Sequence, residues 1–334
     1  MRHYCTYFDH HYLPQGLALY QSLCHHAGDF RLTVLALDRE CERQLRCIGF
    51  DRIKILPLKK LLHHRPALKQ AKKSRSKIEF YFTCTASLMA FIIEKVKEGD
   101  TVTYLDADCF FFSSPEIIHE MEEEASIAIT PHRFPERLQD RNVYGKFNVG
   151  WVTFRRDKTG CACILDWEKC CLEWCFDRLE GEKFGDQKYL DAWPLRYQKI
   201  RILNHPGVNC APWNVEGCDL EFSKEQYKVN SGPLIFYHFH GLKWVAPNMF
   251  QANFGEFIKY PPKKLADLYI TYLQTLLSLK RKYIPTYRQG RQMRDYEMKT
   301  KPTRGFLGKK PRIIQFQESN PWGLESRKRN ILEL

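Results

Sequence analysis

The chain has 334 residues, 44% of them hydrophobic and 14% aromatic, enough to bury a core as one large α/β domain or two small ones and too apolar for a disordered chain. No apolar run approaches the roughly 20 residues needed to span a bilayer, and thirteen cysteines in a chain of this size favour reduced thiols in a cytosol over a disulfide scaffold. The net charge of +13 is concentrated in the tail: from Leu276 onward there are fifteen basic and five acidic residues, so the preceding body is nearly balanced, and no nucleic-acid recognition motif accompanies the basic stretch.

The opening residues read as strand, turn, helix, with no charged-then-apolar leader pattern. His3 to Phe8 is a short β-like run, and Leu17, Leu19, Tyr20 and Leu23 give Pro14 to Leu23 helical spacing. Between them, Asp9 could accept from a base N–H and Tyr12 could pack on a ring; equally, the loop is an ordinary capped helix start. Leu32 to Leu37 and Arg52 to Leu56 are further strands, and their alternation with helical stretches predicts parallel βαβ units. Leu58 to Ser76, rich in lysine, reads as a mobile basic loop. A long helix over Lys77 to Lys95 follows, with Arg75 and Lys77 at its start as candidate phosphate contacts or as solvated charge.

The most informative stretch comes next. Gly99-Asp100 is a turn signal, and Val102, Tyr104 and Leu105 suit a buried strand that ends in Asp106 and Asp108. Ligands bind outside the carboxyl ends of strands in open α/β sheets. Two carboxylates one residue apart there can face one hard cation, whose remaining ligands a diphosphate would supply. The same spacing also occurs in solvated turns.

Beyond it, Phe110 to Phe112 is a short strand, and Ser113-Ser114-Pro115-Glu116 opens a helix. Ser126 to Thr130 is a strand, and Phe134 to Lys146 is a polar loop that could order over a ligand. Phe147 to Phe154 is a strand interrupted at Asn148 and Gly150, and glycine in a strand marks close approach of a ligand or another backbone. A cysteine-rich helix carries Cys161, Cys163, Cys170, Cys171 and Cys175. It contains no Cys-x-x-Cys pair, so buried free thiols are expected instead of zinc. Asp186 and Gln187 open the next helix, where an acid is also ordinary first-turn chemistry. Ile200 to Leu203 is a strand, Asn209 to Asn214 a compact loop, and Pro233 to Tyr237 a strand ending in His238-Phe239-His240-Gly241-Leu242-Lys243-Trp244. A last amphipathic helix from Lys263 leads into the basic tail.

Taken in order, Asp9/Tyr12, Asp106/Asp108, Asn148/Gly150, Asp186/Gln187 and His238/Gly241/Lys243 resemble the motifs of GT-A fold glycosyltransferases, most closely those of the family 8 type. The resemblance runs from about Tyr4 to Trp244. It implies a GT-A fold, a Rossmann-like, mostly parallel mixed α/β sheet flanked by helices, in residues 1–245, with residues 246–334 as a helical, basic C-terminal extension.

Further implications concern chemistry. Asp106, Asp108 and His238 would hold Mn²⁺ or Mg²⁺ against the diphosphate of a nucleotide sugar, with His240 the alternative to His238. Asp9 and Tyr12 would receive uracil, Asn148 would lie near the donor sugar, Asp186 and Gln187 beside the anomeric carbon, and Lys243 on the β-phosphate. One residue, not two, separates Gly241 from Lys243, and no proline precedes Trp244. The family implies retention; an inverting reaction would need a base, for which Asp186 is available. The acceptor would be a saccharide or a lipid-linked saccharide of surface-polysaccharide or lipopolysaccharide synthesis. A cytoplasmic enzyme could meet such a lipid at the membrane face through its basic tail, each basic residue contributing about 1 kcal/mol at acidic lipid. Two other classes remain open: an inactive nucleotide-sugar-binding protein and a basic nucleic-acid-binding protein.

Overall fold

The computed structural model describes residues 1–246, 249–255, 257–284 and 331–333. Strand and helix alternate through β1 (Arg2–Phe8), α1 (Leu13–His26), β2 (Phe30–Ala36), α2 (Arg39–Ile48) and β3 (Ile53–Pro57). Then come α3 (Leu58–His64), α4 (Ala67–Ser74), α5 (Lys77–Ile93), β4 (Thr101–Leu105), β5 (Cys109–Phe111), α6 (Glu116–Met121), β6 (Ile127–Pro131) and β7 (Phe147–Arg155). Helices α7 (Lys158–Glu173) and α8 (Trp193–Arg196) precede β8 (Ile200–Ile202).

Seven of these strands form one sheet in the order β3-β2-β1-β4-β7-β6-β8, parallel except for β7, which runs antiparallel to β4 and β6. Alternation of side chains along each strand supplies both of its faces. On one face Tyr4, Leu32, Val34, Leu105 and Trp151 join a core with α1; on the other Cys5, Leu35, Val102, Tyr104 and Val152 join a core with α5 and α7. Because α1 and α5 cover opposite faces, the chain changes sides between β1 and β4. A crevice opens at the carboxyl ends of these two strands for that reason.

Smaller pieces complete the molecule. β9 (Leu220–Ser223), β10 (Gln226–Val229) and β11 (Gly232–Pro233) make an antiparallel meander, and β12 (Phe236–His238) pairs with β5. β13 (Lys243–Ala246) and β14 (Met249–Gln251) precede α9 (Leu265–Tyr283), and β15 (Ile331–Glu333) pairs with β14. α9 packs into the α1 side of the core, where the Tyr272 ring stacks on Phe239 at 3.8 Å.

Two expectations change. Residues 58–76 are not a loop: they form α3 and α4, which bury Leu58, Leu61, Leu68 and Ala71 at helical spacing while the lysines cover the outer side. Within 134–146, the segment Glu136–Tyr144 winds into 3-10 turns with only Leu138 buried. The tail beyond Ile284, apart from β15, lies outside the described residues.

Candidate active site

β4 delivers Asp106 and Asp108 to the crevice, and the pairing of β5 with β12 brings the third group. That register sets His238 opposite Cys109, and the Phe239 N–H donates to Asp108 O at 2.9 Å. His238 Nε2 consequently lies 3.1 Å from Asp108 Oδ1 and 3.6 Å from Asp106 Oδ2. One ligand atom from each of the three residues falls within 4.8 Å of the others, the only such group among the described residues. Tyr104, two positions before Asp106, donates its hydroxyl to Asp106 Oδ1 at 2.8 Å and orients that carboxylate.

Burial opposes ionisation of all three groups. For Asp106 burial prevails, the His238 charge countering it and Asp108 reinforcing it, and its pKa rises. For Asp108 the charge and hydrogen bond of His238 outweigh burial and hold it below the usual carboxylate range. His238 is raised because Asp108, then Asp106, overcome the burial that would lower it. Two carboxylate oxygens and one imidazole nitrogen converging on one point suit a divalent ion such as Mn²⁺ or Mg²⁺. Asn209 Oδ1, 3.3 Å from His238 Nδ1, gives the imidazole the outer partner that metal-binding histidines require.

The cluster lies on a cleft of about 830 Å³ that also touches Asp9, Tyr12, Lys77, Asn148, Asp186 and Gln187. Asp9 follows β1 and caps the 3-10 turn His10–Tyr12, accepting from the His11 and Tyr12 backbone N–H groups. Its other oxygen meets Lys77 Nζ at 2.7 Å and the Tyr81 hydroxyl at 3.1 Å. Burial would raise its pKa, but Lys77, His11 and Tyr81 bring it down. Asn148 is anchored by the Gly150 N–H and by Asn209. A Cβ at Gly150 would stand 2.7 Å from Asn148 Oδ1 and 2.8 Å from His238 Nδ1, so glycine here permits the close approach. Asp186 is 7% exposed, and burial, with Asp106 adding to it, pushes its pKa up to about 7 against a hydrogen bond from Thr85. The Gln187 amide donates to Tyr144 O at 2.8 Å, tying it to the 3-10 segment.

Two candidate phosphate contacts are placed elsewhere. The Arg75 guanidinium turns away from the cleft and donates to Thr83, to Cys171 O at 2.7 Å and to Leu172 O at 2.7 Å, satisfying carbonyls near the end of α7. Lys243 is exposed on β13 opposite Gln251 and does not line the cleft. His238 joins the cluster, while His240 lines the cleft with its ring 5.7 Å from that of His238.

Sequence reasoning missed Tyr104, Tyr81 and Asn209 as site residues. Tyr104 carries a legible signal, because it shares a strand face with Asp106. Tyr81 lies one helical turn beyond Lys77. Asn209 carries none: its place depends on how the loop after β8 packs.

No family model matches the chain. In sequence it is similar to two proteins of Bacillus subtilis (strain 168), both described as uncharacterized. YfnD is 27% identical over 284 residues, which cover 84% of this chain and 89% of YfnD. YfnF is 28% identical over 253 residues, 73% of this chain and 83% of its own. In structure the chain is similar to the galactosyltransferase LgtC in complex with donor and acceptor sugar analogs, with a TM-score of 0.56, 14% identity and coverage of 86% of this chain and 99% of that one. An active-site glutamine-to-glutamate mutant of LgtC gives a TM-score of 0.53 at 13% identity, with the same coverage. The mixed, mostly parallel seven-stranded sheet flanked by helices is the GT-A glycosyltransferase fold.

Proposed function

We propose that this chain is a family 8-like glycosyltransferase that moves a sugar, with retention, from a UDP-sugar to a saccharide or lipid-linked saccharide of surface-polysaccharide or lipopolysaccharide synthesis. The observation that carries the reading is the convergence of Asp106, Asp108 and His238 beside the β1/β4 crevice, on the same cleft as Asp9 and Lys77. The fold shared with a galactosyltransferase solved with donor and acceptor sugar analogs supports it.

In this reading Asp106, Asp108 and His238 hold the divalent ion, and Tyr104 and Asn209 keep two of them aimed. When bound, the ion would supply positive charge to the leaving diphosphate. Lys77 is the described ammonium on the cleft nearest to Asp9, and it takes the phosphate role that the motif assigned to Lys243. Asp9 and Tyr12 bound the end of the cleft suited to the uracil ring, and Asn148 orients the sugar. Asp186, buried and with its pKa pushed up to about 7, lines the cleft beside Gln187.

No helix among the described residues is long and apolar enough to cross a membrane. The basic tail, most of it outside the described residues, would hold the enzyme on an anionic surface. Loss of salt-sensitive vesicle binding after deletion beyond Ile284 tests that part.

The function itself is tested by incubating the protein with Mn²⁺, a panel of nucleotide sugars and lipid-linked or free saccharide acceptors. Glycosylated product with the donor's anomeric configuration is expected from a UDP-sugar. Binding of nucleotide sugars without transfer to any acceptor or water would favour the inactive-binder alternative.

A further inference from the structure

Behind the three ligand groups runs a buried line of polar atoms whose directions follow from which groups can only donate. The Gly150 backbone N–H is such a donor, and it lies 2.8 Å from Asn148 Oδ1. That end of the Asn148 amide is therefore its oxygen. The Asn209 atom 3.0 Å from it must then be the amide nitrogen, which also reaches Thr130 Oγ1 at 3.3 Å. What remains of Asn209 is Oδ1, an acceptor, 3.3 Å from His238 Nδ1. When a cation takes Nε2, which faces Asp108 Oδ1 at 3.1 Å and Asp106 Oδ2 at 3.6 Å, the proton left on the ring sits on Nδ1 and Asn209 Oδ1 accepts it. A backbone N–H on β7 thus sets the orientation of the amide that meets the imidazole, three links away.

The placement is tightly held. Asn209 is fully buried and stands at φ 52°, a left-handed conformation that asparagine tolerates better than most residues. Its backbone carbonyl accepts from Asn214 Nδ2 at 3.0 Å, and the oxygen of that side chain caps the Ala211 N–H. A Cβ at Gly150 would meet Asn148, His238 and Asn209 all within 2.9 Å, so the line closes only because that side chain is absent.

We propose that Asn209 is a positioning residue that holds the His238 ring through Nδ1 and, through its amide nitrogen, ties the cation-binding imidazole to Asn148 on the sugar side of the cleft. The proposal rests on the reading of Asp106, Asp108 and His238 as a cation site. One amide serving both groups couples the geometry of the metal site to that of the donor sugar. Substitutions that keep one end of the amide and remove the other should split the two properties.

The test uses the full chain. Asn209→Gly suits the left-handed backbone and removes the amide. It should bind Mn²⁺ about 10- to 100-fold more weakly by electron paramagnetic resonance, the usual cost of losing an outer partner. Asn209→Asp keeps an acceptor for Nδ1–H but no donor for Asn148. Its Mn²⁺ affinity should stay near wild type while its affinity for UDP-sugar falls.

A folded Asn209→Gly variant with unchanged Mn²⁺ affinity overturns the proposal, as does an Asn209→Asp variant with unchanged affinity for UDP-sugar. Should the Gly variant not fold, the Asp variant decides. Wild-type protein that takes up no Mn²⁺ overturns the metal reading instead.

Discussion

Lys77 Nζ lies 2.7 Å from Asp9 Oδ2, joining the first turn of α5 to the loop after β1 at the cleft. Most of the lysine side chain is exposed, while Asp9 is buried, so the ammonium can be shared with an incoming anion. Hydrogen bonds to charged groups contribute about 1.5–3 kcal/mol. Lys77→Met is therefore expected to weaken UDP binding in the presence of Mn²⁺ by about tenfold or more. Titration calorimetry checks this, and an unchanged affinity would remove Lys77 from the phosphate role.

Arg75 shows the opposite behaviour. Its donors reach Thr83 and two carbonyls near the end of α7, so Arg75→Met leaves buried acceptors without partners. A loss of about 1–3 kcal/mol of stability is expected for such a change, with nucleotide affinity unaltered. Denaturant unfolding paired with calorimetry separates the two effects. Weakened UDP binding in a variant of normal stability would return Arg75 to the site.

Asp186 makes stability depend on pH. Burial, with Asp106 nearby, raises its pKa in the folded chain to about 7, whereas an unfolded aspartate titrates near about 4. Between these values the folded state keeps a proton that the unfolded chain has released. The contribution is complete below about pH 4 and is lost as pH rises toward about pH 7. Asp186→Asn removes that loss. The chelated variant should melt above wild type at alkaline pH, and the gap should close on acidification by about 1.4 kcal/mol per pH unit. Melting curves across pH measure it; a gap that widens toward acid would contradict the assignment.

Gly150→Ala brings a methyl group to 2.7 Å from Asn148 Oδ1 and 2.8 Å from His238 Nδ1. Overpacking of this kind costs about 1–3 kcal/mol. The variant should unfold at lower urea and take up Mn²⁺ more weakly, since relief of the clash moves His238. Wild-type values for both would show that the polar cluster is loose.

How far the sequence foretold these features varies residue by residue. Asp106 and Asp108 were legible because a period-two strand with a turn before it has a definite carboxyl end, and two acids stood there. The parallel half of the sheet followed from strand–helix alternation, but the reversal at β7 did not. Leu58, Leu61, Leu68 and Ala71 carried a helical signal that the lysines between them hid, so α3 and α4 read as loop. Lys243 stands exposed at the start of β13, away from the cleft, while Leu242 just before it is buried, a placement that local spacing does not reveal. Neither the β5–β12 register nor the contact of Asn209 with His238 has a local sequence signature, because both are made by segments far apart in the chain.

The central claim is that Asp106, Asp108 and His238 bind a divalent ion that anchors a nucleotide diphosphate. Calorimetric titration of UDP into the wild-type protein and Asp108→Ala, each with Mn²⁺ and again after chelation, tests it most directly. The account predicts Mn²⁺-dependent binding to the wild type, and weak binding, indifferent to Mn²⁺, to a folded Asp108→Ala variant. Equal UDP affinity in all four titrations would contradict it.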